Sequence, residues 1–72
     1  MAHTSKYFTT KPSKGGSSFK RGVRLFLRSG REVGSIAQDR ESGKFAVFLV
    51  NGGCEEFTTF AEADAYAWAK GV

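Results

Sequence analysis

From Val23 onward apolar and basic residues alternate, with Val23, Leu25 and Leu27 on one side of an extended chain and Arg24, Phe26 and Arg28 on the other. Period-two alternation carried by β-branched and aromatic residues predicts a half-buried strand over Val23–Arg28. Ser29-Gly30-Arg31 offers a glycine for positive φ, so a hairpin should follow. The partner strand is Glu32–Gln38. Its main apolar residues, Val33 and Ile36, reach the same face only if a bulge intervenes near Gly34. Asp39–Gly43 reads as a second turn, and Phe45–Val50, apolar on both sides, as a central third strand. Asn51-Gly52-Gly53 is the strongest turn signal in the chain, and Cys54–Phe57 is a candidate short edge strand.

The period then changes. Thr59-Phe60-Ala61-Glu62 fits a capping box, and Phe60–Lys70 is an alanine-rich helix with acids near its start, Lys70 in its last turn and Gly71 as its stop. A short hairpin and a three-turn helix are each marginal alone. The helix is therefore expected to cover one sheet face, burying Val23, Leu25, Leu27, Val47, Leu49 and Trp68 together. Residues 1–18, rich in Ser, Thr, Lys and Gly with the only proline, read as a flexible basic arm. The expected architecture is α+β: a three-stranded antiparallel sheet and one C-terminal helix over residues 19–72, preceded by that arm.

Seventy-two residues leave room for one small domain. The longest apolar run, six residues over Phe45–Val50, is too short to span a bilayer, and no apolar leader is apparent. A lone Cys54 permits no internal disulfide, which fits a reducing, cytoplasmic setting. Charge changes the picture more. Residues 1–31 hold Lys6, Lys11, Lys14, Lys20, Arg21, Arg24, Arg28 and Arg31 and no acid, a charge of +8. Residues 32–72 set Arg40, Lys44 and Lys70 against seven acids, a charge of −4. Such asymmetry suits one surface to a polyanion.

Catalytic chemistry finds little material. His3 stands in the arm with nothing to orient it. Cys54 is followed by Glu55 and Glu56, which disfavour a thiolate. Consecutive glutamates point to opposite sides of a strand, so they make no acid–base pair. Neither Gly-Gly pair has the spacing of a phosphate loop. No enzyme, cofactor or metal site is expected. Glu55, Glu56, Glu62 and Asp64 gather around the helix start, as capping and solubility require, or as a patch for a basic partner would.

The expected binding surface is the sheet face away from the helix. Arg24 and Arg28 flank Phe26, Lys20 and Arg21 precede them, and Arg31 follows in the turn. Arginine donates bidentately to guanine or phosphate, and phenylalanine stacks on a base or presses on a thymine methyl. The alternative is that Phe26 faces the core and the arginines only solvate an edge.

Three strands followed by an alanine-rich helix resemble AP2-type DNA-binding domains and the arm-binding domains of tyrosine integrases. Arg21-Gly22-Val23-Arg24 is similar to the string that opens AP2 domains, and Phe57-Thr58-Thr59 leading to Glu62-Ala63 is similar to the segment entering their helix. The resemblance covers residues 19–70 and implies a sheet laid in the major groove, with Arg21, Arg24 and Arg28 as contacts. The tryptophans of the AP2 sheet are missing, since Trp68 lies in the helix.

Two functions follow as expectations. The first is a small DNA-binding protein, possessing no membrane segment, that uses the basic face plus the arm. The second is a phage- or plasmid-type inhibitor that seizes a host protein, with Phe26 and Phe48 as its apolar centre. RNA ranks lower, because paired aromatic motifs are missing. A monomer and a homodimer through an exposed edge strand are both open.

Overall fold

The turns dictate where the strands stop. Gly30 N donates to Leu27 O at 2.8 Å and Leu27 N to Arg31 O at 2.9 Å, with Gly30 at φ +94°. That closed turn takes up Leu27 and Arg28, so the strand predicted over Val23–Arg28 ends at Phe26. The same turn recurs at residues 49–53, where Gly52 N donates to Leu49 O and Leu49 N to Gly53 O. The computed structural model describes Ser5–Val72, and residues 1–4, His3 included, lie outside the described residues. Its elements are β1 (Thr9–Ser13), β2 (Gly22–Phe26), β3 (Glu32–Gln38), β4 (Phe45–Leu49), β5 (Cys54–Phe57) and α1 (Phe60–Gly71).

The fold is α+β, with one C-terminal helix packed on an antiparallel sheet, but the sheet has five strands rather than three, in the order β1-β2-β3-β4-β5. Both additions are edges. β5 forms at the candidate edge segment. β1 lies inside the stretch that composition assigns to an arm, and it pairs with β2 from Thr9↔Phe26 to Ser13↔Gly22. Its side chains are mostly exposed, so hydrophobic patterning gives no sign of it; the backbone ladder holds it.

Between β2 and β3 the register slips: Leu25 faces Gly34 but Phe26 faces Glu32, leaving Val33 unopposed. The slip is the bulge that the spacing of Val33 and Ile36 demands, and both residues are buried. With Leu25 and Val47 they form the centre of the core. α1 lies over β3, β4 and β5. It approaches through Ala63 and Ala67, both buried, because alanine keeps the helix close to the strands. Thr59 Oγ1 accepts from Glu62 N at 3.3 Å, and its hydroxyl donates to Glu62 Oε1 at 3.0 Å. The box is thus closed through the hydroxyl rather than the threonine amide.

Trp68 does not join the core. It is 44% exposed and stacks on Tyr7 at 5.4 Å between centroids, with Phe8 edge-on at 5.8 Å. It sits four residues beyond Asp64, on the side of α1 that meets residues 5–8 rather than the sheet. Asp64, only 2% exposed, accepts from Ser5 Oγ and from Lys6 N, each at 2.7 Å. Those bonds satisfy a buried carboxylate and lead Phe8 into the core, immediately before β1 begins.

Asp64→Ala should therefore release residues 5–8. We expect a loss of about 2 kcal/mol, typical of hydrogen bonds to a charged group, a red shift of Trp68 emission and faster amide exchange at Lys6 and Phe8. Gly34 should tolerate substitution poorly. A Cβ there would stand 2.3 Å from Phe48 O, so Gly34→Ala should cost about 3 kcal/mol in urea unfolding. Gly30→Ala meets no neighbour and should cost about 1 kcal/mol, as strain at positive φ alone.

Candidate nucleic-acid interface

Strand alternation sorts the side chains of the sheet into two sets. Val23, Leu25, Ile36, Val47 and Leu49 point toward α1. The face away from α1 carries Lys11 on β1, Arg24 and Phe26 on β2, Ser35 and Ala37 on β3, Ala46 and Phe48 on β4, and Cys54 and Glu56 on β5. Part of this face is covered, since Ala46 is only 2% exposed. Only the loop before β2 reaches it, through Phe19, which packs edge-on against Phe48 at 5.6 Å. Arg40 holds that loop in place: its Nε donates to Gly16 O at 3.0 Å and to Phe19 O at 3.2 Å.

Phe26 faces outward, and two cations gather on its ring. Lys11 Nζ is 5.0 Å and Arg24 Cζ 5.2 Å from the centroid, both within cation–π range. Arg24 also pairs with Glu32, its Nε donating to Oε2 at 2.9 Å and its Nη2 to Oε1 at 3.1 Å. These hydrogen bonds, reinforced by the opposite charges, raise the Arg24 pKa and hold the Glu32 carboxyl below its ordinary range. Both groups face solvent, so the pair adds little to stability.

No protein-family model matches the chain, and neither a curated protein nor a solved structure is significantly similar to it.

The six residues expected to form one surface are divided by the fold. Arg24 and Phe26 share the open face. Arg21, two residues before Val23, lines a groove on the helix side instead. Arg28 and Arg31 belong to the hairpin turn beyond the end of β2, and Lys20 is tied by its amide to Gln38 O at the opposite end. Lys11 is the residue that sequence reasoning omits from the surface. Its signal was faint: Thr9-Thr10-Lys11 is β-prone, but a proline follows. Cys54 is exposed at the β5 edge, directly opposite Phe48. Among the described residues no three His, Cys, Asp or Glu side chains converge to hold a metal ion, and no helix is long and apolar enough to cross a membrane.

The Arg24–Glu32 pair has a pH signature. A carboxylate with a lowered folded pKa contributes its stabilisation above the unfolded value and loses it as pH falls through the folded one. Glu32 should therefore titrate below the ordinary glutamate range in a carboxyl ¹³C experiment, and Arg24→Ala should return it to that range. A Glu32 midpoint unmoved by Arg24→Ala would remove the pair from solution.

Proposed function

We propose that this chain is a small nucleic-acid-binding protein without enzymatic activity that takes double-stranded DNA on the sheet face away from α1. The observation that carries the reading is the cluster of Lys11 and Arg24 over Phe26. It stands in the half of the chain that has eight cations and no acid. A polyanion needs cations in a row, and an aromatic ring among them adds contact with a base or a thymine methyl. Arg24 would exchange the Glu32 carboxylate for a phosphate, a trade between anions at an exposed site. Arg28 and Arg31 in the hairpin turn, with Lys20 at the other end of β2, extend the row along the duplex. The likeness to AP2-type domains points the same way for Arg24, since a sheet lying in the major groove must use the face that the helix leaves free. Arg21 falls outside this interface. The basic segment before β2 contributes through β1 and its loop rather than as an arm. A reducing, cytoplasmic setting agrees with the exposed, unpaired Cys54.

A second reading draws on the other half of the same face. Phe48 is 39% exposed and packed by Phe19, with Ser35 and Cys54 opposite it in the register. Phosphates have no use for that apolar area, whereas a host protein bound by a phage- or plasmid-type inhibitor would.

Salt separates the two. In amide NMR titrations with a short duplex at about 50 and 200 mM salt, shifts should centre on Lys11, Arg24, Phe26 and Arg28 and fade at the higher salt. Arg24→Ala and Lys11→Ala should each weaken binding roughly three- to tenfold and lower the slope of log K against log salt by about 0.9. No shifts at the lower salt would overturn the DNA reading. Binding by a single strand equal to that of the duplex would replace it with single-strand recognition.

A further inference from the structure

The outer face of α1 lacks the polar character usual for a surface helix. Ala63 and Ala67 meet the sheet and are buried, whereas Ala61, Ala65 and Ala69 are exposed on the side away from it. Trp68 flanks them and is exposed as well, with Tyr7 stacked beside it and 41% exposed. A helix that covers a sheet from one side turns charged residues to water, and a helix apolar on all sides is normally covered. α1 exposes only two charged residues, Glu62 near its start and Lys70 in its last turn.

Small side chains alone would only make α1 thin. The two stacked rings and the placement of the two charges point to what covers it. One acid and one base cancel, so the face matches neither a polyanion nor an anionic lipid surface. Glu62 and Lys70 are eight residues apart, a little over two turns, so they lie on one flank of the helix at opposite ends. A second α1 laid antiparallel across the face, with the two-fold axis beside Ala65 and Tyr66, brings each Glu62 against the partner's Lys70. The face is thus complementary to itself, and the opposed helix dipoles add to the match. The Lys70 ammonium makes no ion pair with a described residue.

We propose that the outer face of α1 is the interface of a symmetric homodimer. Two antiparallel alanine ridges meet at Ala65, and alanine at every fourth position lets them approach closely. Trp68 and Tyr7 of each copy close one flank, and two Glu62–Lys70 pairs close the other. A twelve-residue helix offers a face about 18 Å long and 10 Å wide. That is well under the roughly 800 Å² that each partner buries in a stable complex, so the dimer forms only at high protein concentration. The open sheet face lies on the far side of each copy, so the dimer stands whether or not that face binds DNA.

The test uses the full chain. Sedimentation equilibrium over a concentration series should fit a monomer–dimer equilibrium. In a mixture of ¹³C-labelled and unlabelled protein, intermolecular NOEs should join the Ala65 methyl to α1 of the other copy. Ala65→Lys, an exposed and helix-compatible change, should abolish the dimer and leave the amide spectrum of the sheet in place. Lys70→Glu should weaken it roughly two- to thirtyfold, since symmetry counts each lost pair twice. Mixing Lys70→Glu with Glu62→Lys should restore association, because each copy then finds the opposite charge. A monomer at NMR concentrations, an Ala65→Lys variant that still dimerises, intermolecular NOEs confined to β1 or β5, or no recovery on mixing would overturn the proposal.

Discussion

The constraint on which the rest depends is one of width. Five strands about 4.8 Å apart make a sheet roughly 19 Å across, and a helix with its side chains covers about 10 Å. One twelve-residue helix therefore seals β3, β4 and β5 and leaves β1 and β2 without a roof. The chain closes half of that gap with its own N-terminal segment. Ser5 and Lys6 reach Asp64 on the helix, Tyr7 and Phe8 bracket Trp68, and Phe8 continues down into the core. An aspartate buried in a short helix would be a liability; with both oxygens accepting, it becomes the fastening for this strap.

The same width leaves the opposite face without a second helix among the described residues, and its side chains meet their exposure in two ways. Near β1 and β2 the residues are charged, and the phenylalanine among them is covered by cations. Near β4 the residues are small or aromatic, and Phe19, brought over by a loop that Arg40 anchors, shields part of Phe48. The edges are protected separately. Lys11 and Pro12 discourage pairing along β1, and Glu55 and Glu56 do so along β5.

The central strands, the turns and the helix were legible because each carries its own local signal. Glu32–Gln38 and Cys54–Phe57 stand in the structure with those bounds, and Val33 and Ile36, three apart, announce the slip beside Gly34. β1 was not legible, since an edge strand that buries little needs no hydrophobic alternation, and Thr-Thr-Lys-Pro-Ser looks like linker. Trp68 was misplaced because a helix with two apolar sides does not say which one meets the sheet; residues 5–8, far away in sequence, decide it. The candidate site was legible in half. Parity puts Arg24 and Phe26 together and Arg21 with Val23, a division present in the sequence that the continuous basic run obscures. Arg28 was lost to a turn that begins two residues earlier than Ser29-Gly30 suggests.

A meander turns sequence polarity into spatial polarity. Because the strands lie side by side in chain order, the acid-free first half of the chain becomes the β1–β2 side of the sheet, and the acidic half becomes β4, β5 and the helix start. A crossover topology built from the same segments would have interleaved the two charges and cancelled the field. Glu32 is the first acid in the chain and the first residue of β3, so the boundary between the halves falls between β2 and β3. The one ion pair among the described residues, Arg24 with Glu32, spans that boundary. It is the point where the basic surface is partly neutralised from within, by a carboxylate that holds the Arg24 guanidinium in position.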